Sequence, residues 1–400
     1  MDLKSGYPFW LVKNGLPYDY AKLESSVKTD IVILGGGVSG ALTAYYLVKA
    51  GLDVTVIDAR SIGLGSTCAS TALLQYEIDT PLHELIEKIG TNGAVRSYEL
   101  CSYAIDRIES ITQKLGYKDF QRKKSLLFTA HKKDIPFLQK EYAVRKEHGF
   151  KVKYLENDAV NKNYGFDADA ILSQQGAQID AYTFTHALHQ QSKKKGLRIF
   201  DRTPITDIQH HDKNVTLKTE NGHTLQAKKI IYATGYEVVN FLDKKVVDLQ
   251  STYAVVSEQN NSMKECWKDD VLMWNTADPY LYMRTTSDRR MLIGGRDEDF
   301  YNPTRRDKLI DSKTKQLIKD FNNLYPEKPF KPEFSWTGTF GITKDGLPFI
   351  GTYKKLPNSY FALGFGGNGI TFSLIAAEII TDLITGKKNK DAEIFSFERV

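Results

Sequence analysis

The chain has 400 residues, 41% apolar and 12% aromatic against 26% charged, so it can bury a sizeable core and is neither disordered nor fibrous. Its 54 Lys+Arg against 49 Asp+Glu leave a net +5, too little over this length to call for a polyanionic partner, which sets nucleic acid aside. Cys68, Cys101 and Cys266 lie far apart with no CxxC pair, which speaks against a disulfide framework or a metal site and fits a reducing cytoplasm.

The opening MDLKSGYPFWLVKNGLPYDY carries charges and prolines where an export signal needs an unbroken apolar core, so no signal peptide is expected. Ile31 to Val48 approaches the length of a membrane span, but Gly35, Gly36, Gly37 and Gly40 interrupt it where a strand would pass into a helix, so no span is expected. Asp30 to Leu34 reads instead as a buried parallel strand. Leu42, Tyr45, Tyr46 and Val48 then fall at helical spacing up to Gly51, and Val54 to Ile57 supplies the second strand of a βαβ unit. Beyond residue 80 come two amphipathic stretches, Pro81 to Gly116 and Lys133 to Gly149, separated by a strand at Ser125 to Ala130. A helix (Tyr182 to Lys195), a strand (Leu197 to Phe200), a hairpin (Ile205 to Leu225, turning near Glu220 to Gly222) and an apolar strand (Lys229 to Ala233) follow. Residues 246 to 300 alternate in runs such as Ser251 to Ser257 and Leu281 to Thr285, which predicts an antiparallel sheet with one wet face. The end of the chain returns to strand and helix, the helix spanning Thr371 to Leu383.

GxGxxG at Gly35, Gly37 and Gly40 closes the first strand and opens the helix, and Asp58 ends the second strand about 18 residues later. This is a dinucleotide-binding arrangement. Gly35 permits the tight turn, Gly37 lets backbone approach a pyrophosphate, and Gly40 allows close packing of helix on strand, while the helix-start N–H groups of Val38 and Ser39 meet phosphate charge. Asp58 suits two ribose hydroxyls and would repel a 2′-phosphate. FAD and NAD share these features; three later segments favour FAD. They are the small-residue loop from Ala59 and Arg60 through Gly65, Ser66 and Thr67 to Ala72, the strand ending Ala233-Thr234-Gly235, and Gly364 to Ile370 ahead of an apolar helix.

With Asp345 to Gly351 (DGLPFIG) added, these motifs resemble the FAD-dependent D-amino-acid-oxidase-like (DAO) oxidoreductases, which include glycine oxidases, D-amino-acid dehydrogenases and γ-glutamylputrescine oxidase-like members; Tyr7 to Trp10 resembles the last of these. The resemblance covers nearly the whole chain and implies an α/β (α+β overall) fold. A discontinuous Rossmann-like FAD-binding domain (residues 1–85, 150–240 and 335–400) would carry an antiparallel-sheet substrate domain (86–149 and 241–334). It also implies that Ile205 contacts adenine through its backbone, that Thr67 to Ala72 line the ring near N5, and that Gly366, Gly367, Asn368, Gly369, Ile370 and Thr371 present N–H groups to the flavin N1–C2=O edge.

The departures from that family pattern are equally specific. Phe340 stands where the amino-acid oxidases carry a carboxylate-binding arginine, and it cannot form that bidentate pair. Arg284 and Tyr253 are then the substrate-binding candidates, with Arg296 behind them. Gly338 replaces the cysteine that tethers flavin in sarcosine-type members, so non-covalent FAD is expected. Leu292 replaces their oxygen-activating lysine, which favours a dehydrogenase over an oxidase and leaves oxygen, a quinone or a protein as acceptor. The expected reaction oxidises the C–N bond of a small amine or amino acid by hydride transfer to flavin N5, followed by hydrolysis of the imine. The competing readings are a flavin-binding subunit or regulator with structural FAD, and an enzyme modifying an RNA-linked amine.

Overall fold

A computed structural model describes residues 1–260, 265–328 and 330–399. The βαβ unit forms where the pattern places it. Val27–Leu34 and Val54–Ile57 pair in parallel, Ile31 opposite Val54 and Leu34 opposite Ile57, and the Val38–Lys49 helix crosses between them. That helix buries Ala41, Leu42, Ala44 and Leu47 and packs against Gly369–Ile384 and Ala181–Lys193. Being apolar on most of its circumference, it sits inside the protein. Among the described residues no helix is long and apolar enough to cross a membrane.

Among the described residues three sheets form. The first runs in the order Arg198–Phe200, Val54–Ile57, Val27–Leu34, Thr224–Tyr232, Val215–Thr219, Ile205–His210, with Ser359–Leu363 and then Phe349–Thr352 added alongside Thr224–Tyr232. Its central strands are parallel and buried on both faces. The hairpin expected over Ile205 to Leu225 is a three-stranded meander: Ile205–His210 pairs with Val215–Thr219, which pairs with Thr224–Tyr232. The turn at Glu220 to Gly222 is present, with Gly222 at φ +83°, but it feeds a strand that continues unbroken into Lys229. Leu225 and Lys229 belong to one strand because the parallel pairing with Val27–Leu34 extends its ladder beyond the turn.

The second, nine-stranded sheet runs Lys4–Gly6, Pro332–Ile342, Asp248–Ser257, Met291–Glu298, Tyr282–Thr285, Leu272–Asn275, Ser125–Phe128, Ala170–Ser173, Val152–Leu155. One face, with Tyr253, Val255 and Ile293, packs on Leu317 and Phe321 of the Ile310–Leu324 helix. The other turns toward the nucleotide-type unit. Lys4–Gly6, Val152–Leu155, Ala170–Ser173 and Pro332–Ile342 lie in this sheet, although the sequence boundaries put nearly all of them in the Rossmann-like unit. Their partners are remote in the chain, so local pattern does not assign them. The third sheet, Leu73–Gln75, Gly176–Ile179 and Phe120–Arg122, joins the two units.

The inserted stretches form helices Leu82–Ile89, Thr91–Leu115 and Ile135–Glu147. Their amphipathic pattern hides a buried ionic cluster. Glu141 accepts the N–H groups of Leu82 and His83 at 3.0 Å each, capping the first helix from the third. It also meets Arg145 Nε at 2.6 Å and His83 Nδ1 at 2.7 Å, and Arg145 reaches Glu77 at 3.4 Å. Cys68, Cys101 and Cys266 are free and buried in three separate hydrophobic clusters.

Candidate functional site: a dinucleotide cleft opening onto the sheet

The glycine loop is tight at every position that the fingerprint requires. Gly35 sits at φ +111°, and a Cβ there would lie 2.3 Å from Ala233 O; one on Gly40 would lie 1.9 Å from Gly35 O. A Cβ on Gly37 would meet only the Thr67 hydroxyl, at 2.7 Å. That hydroxyl accepts the Val38 N–H at 3.0 Å. Asp58 accepts the Gly36 N–H at 2.7 Å and the Arg60 N–H at 2.8 Å. Burial pushes its carboxyl up to about 6, against the pull of those two N–H groups. His189 supports the loop from below, its Nε2 3.0 Å from Gly36 O. Burial lowers that imidazole to about 4, so the ring is neutral and Nε2–H donates.

A cavity of about 370 Å³ runs from this loop to the wet face of the nine-stranded sheet. Of the residues singled out in the sequence, it is lined by Gly35, Gly37, Val38 and Ser39, by Asp58 to Arg60, by Gly65 to Thr67 and Ala72, by Ile205, by Ala233 to Gly235, by Gly338, and by Gly366, Gly367, Gly369 and Ile370. Gly40, Asn368 and Thr371 stand behind the lining. Asn368 donates to Gln75 O and Glu77 O, and the Thr371 hydroxyl donates to Asn368 O, so these two hold the second glycine loop rather than face the cavity. Two indoles fix the opposite wall: Trp10 Nε1 donates to Ser70 O at 2.7 Å and Trp336 Nε1 to Ala69 O at 2.9 Å.

The donor set fits a dinucleotide. Ser66 Oγ and Thr234 Oγ1 are buried at the lining without a hydrogen-bond partner, so each has a hydrogen bond to give to a bound polar group. The Asn368 N-cap makes no side-chain cap bond, which leaves first-turn N–H groups of the Gly369–Ile384 helix directed at the site. Gly367 N–H is already engaged, donating to Asp79 at 2.6 Å.

On the sheet side two expectations are corrected. Arg284 does not reach the cavity: it is buried, donating to the carbonyls of Thr71 (3.0 Å), Ala72 (2.8 Å), Ile179 (3.1 Å) and Thr285 (3.0 Å), 5.2 Å from the Trp10 ring centroid. Burial pulls its guanidinium down to about 10, still charged at neutral pH. It holds the turn at Ala72, whose φ is +55°, and is a positioning residue for the lining. Tyr253 touches the cavity only along its strand; its hydroxyl points the other way, donating to Arg306 O at 3.3 Å. Successive strand residues alternate faces, and it is the neighbouring Thr252 that faces in. Arg296 is paired with Asp320 at the surface, and Leu292 is buried with Trp10 and Trp336 outside the lining. Phe340 does line the cavity.

Sequence reasoning missed Tyr236, Tyr280, Tyr282, Asp297 and Asp79. Tyr280 and Tyr282 stand two apart ahead of buried Met283, the alternation that marks a wet face, and that signal was available. No local pattern marks Asp79 or Asp297.

Arg284→Ala should weaken FAD retention and lower activity on every substrate alike, since it frees the Thr71 and Ala72 carbonyls. Kinetics on matched amines and amino acids check this; loss confined to amino acids would restore it as a carboxylate anchor.

The pattern of the FAD dependent oxidoreductase family, DAO, matches residues 30–383. Gamma-glutamylputrescine oxidoreductase of Escherichia coli (strain K12) is 26% identical, covering 95% of this chain and 87% of its own. Glycine oxidase of Bacillus subtilis (strain 168) is 23% identical over 90% of this chain and 95% of its own. Among solved structures, glycine oxidase from Geobacillus kaustophilus superposes with a TM-score of 0.78 at 19% identity, covering 93% of this chain and 98% of that one. With the match spanning both glycine loops and the sheet between them, the chain belongs to the FAD-dependent oxidoreductase family DAO and is a flavoenzyme.

Proposed function

We propose that the protein oxidises a C–N bond of a small amine lacking a nearby carboxylate, with FAD held non-covalently along the cleft. One observation carries the preference: among the described residues the charged groups at the lining are Asp58, Arg60, Glu237 and Asp297, and the single cation, Arg60, is spent on Glu237 at 2.6 and 2.9 Å. A carboxylate entering beside Phe340 meets no guanidinium, whereas an amine meets phenols and a carboxylate. The named relatives act on γ-glutamylputrescine and glycine, which supports an amine or amino-acid substrate class.

Bound FAD supplies the hydride acceptor. Asp58 and the Gly35–Ser39 loop would hold its nucleotide half, and the Ala69–Ala72 segment, fixed by Trp10, Trp336 and Arg284, would hold its ring in one place. The aromatic wall of Tyr236, Tyr280, Tyr282 and Phe340 keeps water from the reacting carbon, and the imine product hydrolyses in solution. No cysteine lines the cavity among the described residues, in keeping with non-covalent flavin. No free lysine lines it either, which favours an electron acceptor other than oxygen.

Anaerobic titration of the FAD-loaded protein tests the reading. Amines should bleach the flavin, glycine and D-alanine should do so on the order of a hundredfold less efficiently or worse, and acid should release all the FAD. A flavin that no amine reduces would make the cofactor structural.

A further inference from the structure

Asp297, next to last in the Met291–Glu298 strand, lies at the cavity wall, and its Oδ1 is buried with no hydrogen-bond partner. The charged groups around it leave it unneutralised. Lys313 is the cation whose charge is felt at Asp297, but its Nζ is 2.5 Å from Glu298 Oε1, and Arg296 is turned to Asp320. Asp79 is occupied by the Gly367 N–H and by the Tyr280 hydroxyl at 3.0 Å. Tyr280 and Tyr282 line the same wall, ring centroids 5.8 Å apart. Gly294 makes room for this arrangement, since a Cβ there would lie 2.3 Å from the Tyr282 ring. A buried carboxylate that the Thr252 hydroxyl bonds but whose Oδ1 is left unpartnered, sharing its wall with two phenol rings, is the chemistry that recognises an alkylammonium, by charge and by cation–π attraction.

We propose that Asp297, with the faces of Tyr280 and Tyr282, anchors a second, non-reacting ammonium group, so that the preferred substrate is a diamine or longer polyamine rather than a monoamine or an amino acid. This rests on the amine-oxidising reading above and adds to it the residue that selects the substrate. Burial pushes the Asp297 carboxyl up to about 7; the Thr252 hydroxyl pulls it down, Asp79 pushes up, Lys313 pulls down and Asp278 pushes up. Tyr282 on the neighbouring strand and Tyr280 just ahead of it are held well above their ordinary value and stay neutral. Cation binding therefore strengthens as pH rises through about 7, with proton release below it.

The test uses FAD-loaded wild type, Asp297→Asn and Asp297→Glu with three probes: 1,4-diaminobutane, butylamine, and butyltrimethylammonium, whose charge does not titrate. In wild type the ratio of kcat/KM for diaminobutane over butylamine should be large. Asp297→Asn should lower that ratio about 30- to 1,000-fold, mainly through KM, and Asp297→Glu should restore part of it. Calorimetry should show butyltrimethylammonium binding to wild type more tightly from about pH 6 to about pH 8, and that slope should vanish in Asp297→Asn. An unchanged ratio, or equal cation binding by wild type and Asp297→Asn, overturns the anchor. Should no amine bleach the flavin while the fixed cation still distinguishes wild type from Asp297→Asn, the oxidation reading fails and the cation site stands.

Discussion

Gly37→Val should yield a folded, colourless protein. The added Cβ lies 2.7 Å from one side chain, the Thr67 hydroxyl, so the scaffold can absorb it by turning that side chain and giving up its bond from the Val38 N–H. The cleft cannot, because Gly37 is at the lining beside the helix start, where backbone must come within reach of the pyrophosphate. Overpacking of this kind costs on the order of 3 kcal/mol, about 100-fold in FAD affinity. Absorbance of the purified protein and refolding with added FAD measure it; wild-type occupancy would show that the fingerprint does not hold the cofactor. Gly40→Val makes the contrast, since its Cβ would sit 1.9 Å from the Gly35 backbone oxygen and damage the scaffold itself.

Arg145→Met is expected to cost the most stability. Arg145 and Glu141 are fully buried and Glu77 nearly so, and removing the cation leaves two carboxylates enclosed without their counter-ion. Breaking such a cluster costs about 3–5 kcal/mol, or roughly 4–6 °C in Tm for a chain of this length. Burial alone would push the Glu141 carboxyl up, but Arg145, His83 and the Leu82 N–H hold it down to about 2, below its ordinary 4.5. Its contribution is therefore present above about 4.5 and is lost as pH falls through about 2. In the variant Glu141 should protonate readily, so the gap in Tm between wild type and variant should narrow from neutral pH toward pH 4. A gap independent of pH would mean that the loss is one of packing.

The parts of this fold that were legible in the sequence are those whose reasons are local. Val54–Ile57 was read to the residue because β-branched runs between turns have few alternatives, and the Gly35–Gly40 loop because each glycine answers to a separate steric demand. What was misread needs partners far away. Arg284 looks like a ligand because its strand is expected to face the flavin; the carbonyls that satisfy it come from residues 71, 72 and 179, which no local pattern could supply. Tyr253 failed by one residue, which on a strand is a change of face. Asp79 meets Gly367 across 288 residues of chain, so its place at the second glycine loop was invisible until the sheets were assembled.

The three buried thiols offer a way to watch the molecule come apart. Cys68 packs with Trp10 and Trp336 beside the cleft, Cys101 lies on the buried face of the inserted helix Thr91–Leu115, and Cys266 lies under the nine-stranded sheet. Burial raises all three above the ordinary thiol range, Cys68 and Cys266 to about 11, so a reagent finds almost no thiolate until the surrounding segment opens. Pulsed alkylation followed by peptide mapping would thus time-stamp three regions in one native chain, with no engineered cysteine needed. Adding FAD should slow modification at position 68 more than at 266, turning cofactor binding into a site-resolved clock.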